Sequence, residues 1–273
     1  MTDAGSDGGV SVAALAATWS TFRAEIPAWD LNLALLSATD STQRVARTLL
    51  DQFLREDEEP FPFVVAALRQ SAGRGRQGRE WWSPPGGGIY ASLVLPTSGP
   101  EELATVPLRA AVSLAEFLGS LLAGGCRIKW PNDLVVERRK IGGLLVDAVF
   151  ASDAPGRSWA VLGFGLNLKP STATGRPPGS TSLAEEMGGE TPSLAEFAAQ
   201  ALAAVWRGFA LSREETVARF ARLSAHRDGE ALRCRVGDEE FDGFFRGFDE
   251  RGFLRLETER GERIVRSGEV FAW

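Results

Sequence analysis

A chain of 273 residues, 44% hydrophobic and 24% charged, has enough apolar material for a large core and the balance of an ordinary globular protein. Its net charge of −6 argues against a general nucleic-acid binder, which needs a basic surface. Two cysteines 108 positions apart and a single histidine argue against a disulfide framework, a zinc cluster and every histidine-based triad.

The first 30 residues hold a short apolar stretch with no basic segment before it, and no apolar run nears the roughly 18–20 residues of a membrane span. They predict a partly disordered extension on a cytoplasmic protein. Leu31, Leu33 and Leu35 alternate as a strand that runs into a polar turn and a helix over 41–54, where Val45, Leu49 and Phe53 share one face. Asp40, Ser41 or Thr42 can cap that helix or bind a small polar ligand at its N-terminus. Phe63–Leu68 reads as a buried strand that delivers Gln70.

Ile89–Leu95 alternates as a strand, and Arg109–Leu122 predicts a helix with Pro107 in its first turn. Strands over Arg127–Trp130, Leu134–Val136 and Ile141–Phe150 follow, the last two joined by a turn at Glu137–Arg139. Ser158–Leu168 is a further strand whose Gly163 and Gly165 permit close approach by another group. After a long loop over 169–181 come helices over Ser193–Phe209 and Arg213–Leu223. From about Ala231 four short strand-like segments, separated by tight turns, predict a small β-barrel of SH3-like type. The fold class is α+β, divided into an extension over 1–30, a main domain over 31–225 and a small one over 226–273. His226 reads as a surface or interdomain residue without a catalytic role.

The stretch Gly73–Trp82, GRGRQGREWW, alternates glycines with Arg74, Arg76 and Arg79 and ends in two tryptophans. Glycine opens backbone N–H groups to a ligand, and arginine presents a fork of donors to phosphate or carboxylate. The stretch reads as a mobile cationic lid over an anion or as a solvated loop, and its glycine content predicts disorder. Strand ends elsewhere add Lys129, Asn132, Asp133, Lys140 and Gly163–Asn167. This set suits a polyanion and lacks an obvious enzyme-borne nucleophile. Attack by a substrate carboxylate on a nucleoside triphosphate needs none, only alignment and charge neutralisation.

GRGRQGREWWSPPGGGIYASL, KWPNDLVVERRKIGGLLVD and GFGLNL, in this order, resemble the three signature segments of the biotin–protein ligases, the biotin–[acetyl-CoA-carboxylase] ligases. The likeness spans about residues 33–170, with Asp40-Ser41-Thr42 and Gln70 also matching. It implies a mixed or antiparallel sheet flanked by helices, like the catalytic domain of class II aminoacyl-tRNA synthetases, followed by an SH3-like domain. It also implies adenylation of biotin by ATP with Mg²⁺, no dedicated protein metal site, and transfer to a lysine of a biotin carboxyl carrier domain. By resemblance, Ser41, Thr42, Gln70, Gly73, Arg74, Gly75, Arg76, Lys140 and Gly143 contact biotin. Arg76, Arg79, Trp81, Asn132, Lys140 and Asn167 face ATP or the adenylate. Lys140, Arg76 and Asp133 are the catalytic candidates, Asp133 either as a base for the acceptor lysine or as a turn-closing residue. Gln43 and Ser71 depart from the family pattern. A chain with about 30 residues before its first strand implies the form without the N-terminal DNA-binding domain, so DNA is not an expected partner. A homodimer through a sheet edge stays open. The rival readings are a lipoate–protein ligase-like enzyme and a non-catalytic biotin or adenylate sensor.

Overall fold

The computed structural model describes residues 31–273 except 57, 59, 152–156 and 171–174, so the expected extension over 1–30 lies outside the described residues. Seven strands form the main sheet: β1 (Asn32–Leu36), β2 (Phe63–Ala67), β3 (Gly88–Thr97), β4 (Arg127–Lys129), β5 (Asp133–Val136), β6 (Arg139–Phe150) and β7 (Ser158–Asn167). Their order is β1-β2-β3-β7-β6-β5-β4. Only β1 and β2 run parallel, joined by helix α1 (Thr42–Arg55), and every other pairing is antiparallel. The expected mixed α+β architecture is therefore present.

Period-2 alternation gives the sheet two different faces. One carries Val64, Ile89, Ala91, Leu93, Leu144, Leu162, Phe164 and Leu166. It is covered by helix α2 (Pro100–Leu121), against which α4 (Leu194–Gly208) and α5 (Arg213–Leu223) pack. The other face meets Ala46 and Leu50 of α1 with Val65, Val94, Val161 and Trp159. Helix α1 covers only part of this second face. The rest is the site.

Three boundaries differ from the expectations. Helix α2 begins at Pro100 and carries Pro107 inside it. Its start signal is Gly99 at the N-cap, Pro100 in the first turn and Glu101 and Glu102 beside it, with Ser98 bonded to the Glu102 carboxylate at 2.7 Å. Pro107 removes one helical N–H, and the buried stripe of Val106, Ala110, Leu114 and Leu118 holds the helix together across it. A short helix α3 (Leu183–Met187), capped by Ser182, was not foreseen. The C-terminal part has five strands, not four: β8 (Ala231–Val236), β9 (Glu239–Phe248), β10 (Leu254–Thr258), β11 (Gly261–Val265) and β12 (Glu269–Ala272). The last expected segment breaks at Gly268, whose φ of 148° is a glycine conformation. These strands form one antiparallel sheet in the order β11-β10-β9-β8-β12.

The two sheets share a continuous core, in which Leu232, Phe245, Leu254 and Val270 join the cluster beneath α2. His226 lies at their junction with its side chain fully buried, so the surface alternative for it falls. The Trp130 N–H donates to its Nε2 at 3.3 Å, and its ring packs on Phe245 and Trp273. Burial first, then the nearby charges of Lys129 and Arg138, push this imidazole down to about 4. The unfolded chain, with histidine near its ordinary value of about 6.5, binds that proton more readily. Stability is thus full above about pH 6.5 and falls as pH drops toward 4. Between pH 7 and 4.5 the protein should lose about 2 kcal/mol more than a His226→Gln variant. Urea unfolding at both pH values checks this, and parallel losses in the two proteins would refute it.

Candidate active site

The uncovered part of the sheet face is nearly free of side chains. Strand register places Lys129, Asp133, Gly143, Gly165 and Tyr90 in one row across β4, β5, β6, β7 and β3. Gly163 lies in the next row, between Ser92 and Leu145. Three glycines on adjacent strands leave a floor onto which a flat group can settle. A cleft of about 890 Å³ opens above it, lined among others by Ser41, Thr42, Gln70, Trp81, Asn132, Asp133, Lys140 and Gly143.

The Trp81 indole rests on this floor. A Cβ on Gly165 would collide with it, and one on Gly143 would lie 3.1 Å from both the indole and the Lys140 side chain. The arginine stretch does not have the open form its glycines predict. It folds back as a hairpin, with Trp81 N–H to Gly73 C=O at 2.8 Å and Gly75 N–H to Arg79 C=O at 2.7 Å. Its tip is Gln77-Gly78, both at positive φ. Gly73 is packed beneath the hairpin, where a Cβ would meet Ser83 Oγ and Gln70 Nε2 within 3 Å; it does not line the cleft, whereas Arg74, Gly75, Arg76 and Arg79 do.

One end of the cleft is polar and neutral. The Thr42 N–H donates to Gln70 Oε1 at 2.8 Å, and Gln70 Nε2 donates to Ser83 Oγ at 2.9 Å. Thr42 Oγ1 lies 3.0 Å from Ser92 Oγ, which donates to Gln43 Oε1 at 2.9 Å. Ser41 is the N-cap residue of α1, yet its side chain makes no capping bond. Its buried Oγ has no partner at all, and neither has Trp81 Nε1. Unsatisfied buried donors are costly and rare, and these two belong to a ligand-facing surface.

The other end is cationic. Lys140 Nζ sits 2.7 Å from Asp133 Oδ1 and 5.2 Å from the Trp81 ring centre. Lys140 is set there by a two-residue hairpin turn, with Glu137 at φ 47° and Arg138 at φ 70°, the twist-matched type. Arg76 Nη1 donates to Asn132 Oδ1 and to the Gly268 carbonyl, both at 3.1 Å, and burial lowers its pKa. Arg79 is paired with Glu269. Although burial opposes it, hydrogen bonds from Arg79 and then Arg235 hold the Glu269 carboxyl down to about 2. The small C-terminal sheet thus closes the cationic end, a contribution the sequence reading lacked.

Asn167 is the expected residue that the structure sets apart. Its Nδ2 donates to the Thr181 carbonyl at 2.8 Å, and it lines a separate crevice with Trp82, Tyr90 and Arg176. Residues missed by sequence reasoning are Gln43, Ser83, Ser92 and Glu269. Their signal is tertiary, since each acts from an element remote in the chain from the residue it supports.

Adding one methyl to the floor tests this arrangement. A Gly165→Ala variant should stay folded, with a melting temperature within about 5 °C of the unaltered protein, while losing at least about tenfold in affinity for biotin and ATP together. Calorimetric titration checks this, and undiminished affinity would mean that the glycine floor is not the binding surface.

Two family models match the chain: the Biotin/lipoate A/B protein ligase family over residues 35–161 and the Biotin protein ligase C terminal domain over residues 229–273. The biotin–[acetyl-CoA-carboxylase] ligase of Paracoccus denitrificans is 34% identical over 221 residues, covering 76% of this chain and 89% of that protein. The bifunctional ligase/repressor BirA of Escherichia coli is 27% identical over 243 residues, covering 88% and 73%. Among solved structures, the biotin protein ligase from Aquifex aeolicus in complex with biotin and ATP superposes with a TM-score of 0.69 at 26% identity, covering 88% of this chain and 97% of that one. On these matches the chain belongs to the biotin protein ligase family.

Proposed function

We infer that the protein joins biotin to ATP as biotinyl-5′-AMP, releasing pyrophosphate, and then passes the biotinyl group to a lysine of the biotin carboxyl carrier of an acetyl-CoA carboxylase. The observation that carries this reading is the placement of Lys140 on the glycine floor, between a neutral polar pocket with an unpartnered hydroxyl and a hairpin of arginines. The neutral fused rings of biotin suit the end built by Ser41, Thr42 and Gln70. Its carboxylate, at the far end of an apolar tail, then reaches Lys140.

Lysine has three donors and Asp133 takes one. The others are available to the biotin carboxylate and to an α-phosphate oxygen, which meet at this point. Once aligned, the carboxylate attacks phosphorus without an enzyme nucleophile. Arg76, desolvated and bonded only to neutral oxygens, is suited to hold the resulting adenylate phosphate. Trp81 and the hairpin shield the mixed anhydride from water until the acceptor lysine arrives. Asp133 belongs to the pair Lys129↔Asp133 that flanks the turn at 130–132 and is bonded to Lys140; its role is to position that lysine. Mg²⁺ would enter with the triphosphate and balance its phosphate charge. Asn167, in its own crevice, supports the 181 segment that pairs with Lys140, and the nucleotide contact that the resemblance implies for it requires the adenylate to reach that crevice.

Calorimetric titration with biotin, without and then with ATP and Mg²⁺, should show binding and then stoichiometric pyrophosphate release. Binding without release would leave a biotin sensor, and preference for lipoate would move the chain to the sister activity. Lys140→Ala should slow pyrophosphate release at least about hundredfold, and a near-normal rate would remove Lys140 from the chemistry. Arg76→Gly should leak biotinyl-5′-AMP into solution with a smaller change in biotin affinity. Retention equal to the unaltered protein would reject the closing role of the hairpin.

A further inference from the structure

Lys129 takes no part in the mechanism derived so far, yet it lines the same cleft. It stands in the row that continues through Asp133 and Gly143 to Gly165, one strand beyond the residue that pairs with Lys140. Neighbouring strands lie about 4.8 Å apart, so Lys129 is displaced from Lys140 along the row, away from the Ser41–Thr42 end. Its ammonium has no carboxylate within ion-pair distance among the described residues, since Asp133 is bonded to Lys140 and Glu269 to Arg79 and Arg235. Its ammonium lies 5.9 Å from the centre of the Trp273 ring, and Asp133 and Glu269 attract it from beyond ion-pair distance. A half-buried lysine without an ion pair is an expensive arrangement.

Resting on the biotin-adenylating reading, we propose that Lys129 is a catalytic residue of the first half-reaction, the cation that receives the β- and γ-phosphates and stabilises the departing pyrophosphate. In that step a carboxylate oxygen of biotin forms a bond to the α-phosphorus as the bond from that phosphorus to the bridging oxygen breaks. The electron pair of the broken bond leaves on pyrophosphate, so negative charge grows on the leaving side. Displacement is in line: with biotin entering from the Ser41 side and the reacting centre at Lys140, the leaving group points along the row toward β4. Lys129 is the cation that stands there without an ion pair among the described residues, attracted by Asp133 only from a distance. Arg79 reaches the same end from above, but Glu269 already holds it. Burial lowers the Lys129 pKa, the sign of a desolvated ammonium whose attraction for phosphate is little screened.

The reading separates the two half-reactions, and so does the test. Lys129→Gln should bind biotin alone as the unaltered protein does. Its kcat/KM for ATP in biotin-dependent pyrophosphate release should fall roughly ten- to hundredfold, the usual loss for one charge-assisted contact. Product inhibition by added pyrophosphate should weaken in parallel, and Lys129→Arg should recover part of both. Transfer from supplied synthetic biotinyl-5′-AMP to the apo carrier domain should stay within about twofold, because no pyrophosphate is present in that step. Adenylation by Lys129→Gln at the unaltered rate overturns the proposal. Equal loss in transfer, or loss of biotin binding, also overturns it and makes Lys129 a packing residue under Trp273. Absence of pyrophosphate release from the unaltered protein would instead refute the biotin-adenylating function itself.

Discussion

A sheet face stripped of side chains is the constraint on which the rest of this molecule depends. Strand interiors normally gain stability from packing on both faces, and glycine there costs backbone entropy and contact. Gly143, Gly163 and Gly165 accept that cost side by side on β6 and β7. Their opposite face is fully packed, with Leu144, Leu162, Phe164 and Leu166 buried under α2, so the strands stay fixed although their cleft side is bare. The indole of Trp81 lies where a β-carbon would stand. Because the floor is backbone, its position is set by the hydrogen-bond ladder of the sheet and not by rotamers, a rigid reference for an in-line reaction.

Charge is arranged around that floor with the same economy. The chain carries a net −6, yet arginines and lysines converge on one end of one cleft. Two carboxylates there have identified cations: Asp133 holds Lys140, and Glu269 holds Arg79 and Arg235. Such pairs fix long flexible side chains before a polyanion arrives and limit mutual repulsion among the cations. A triphosphate offers more charge than one carboxylate does, so exchange of Arg79 from Glu269 to phosphate is electrostatically favourable. The C-terminal sheet thereby belongs to the site as well as to the core. Gly268 and Glu269 cannot move without shifting the residues that close the cationic end.

The elements legible in the sequence were those whose pattern is local. Alternation at 89–95 and 158–168, the four-residue spacing in 41–54 and the glycine and arginine punctuation of 73–82 each locate an element within a few residues. What misled was also local. Pro107 looks like a helix start, but the stronger signal is Gly99-Pro100 with two acids, and burial of a long apolar stripe outweighs one missing hydrogen bond. Glycine in the arginine stretch suggested disorder, because entropy is all that a single sequence reveals there. The cross-hairpin bonds, the bond to Gly268 and the Arg79–Glu269 pair with β12 oppose it. His226 and Glu269 were beyond reach for a different reason. Their partners Trp130 and Arg79 lie in the 130–132 turn and in the hairpin, elements separated from them by about a hundred residues or more, and no periodicity encodes such a meeting.

Gln43, expected to depart from the family pattern, is fitted closely to the floor. Its amide stands beside the floor, where a Cβ on Gly163 would lie 2.5 Å from Oε1, so the missing side chain on β7 makes room for the longer one on α1. The Gln43 Nε2 donates to the Val161 carbonyl at 2.8 Å and to Asp147 Oδ2 at 3.1 Å. Both of those partners are acceptors, so the amide cannot flip without placing its oxygen against two others. With Nε2 fixed, Oε1 must accept, and Ser92 donates to it. Ser92 Oγ then presents a lone pair to Thr42, whose backbone N–H is already held by Gln70. A carboxylate on β6 therefore dictates, through one glutamine, how the Ser92 hydroxyl is oriented, and the Thr42 hydroxyl has Ser92 Oγ and Gln70 Oε1 as its acceptors. A shorter asparagine at position 43 would not span from α1 to Asp147 with the same backbone, and the orientation of the Ser92 hydroxyl would have to be set by another means.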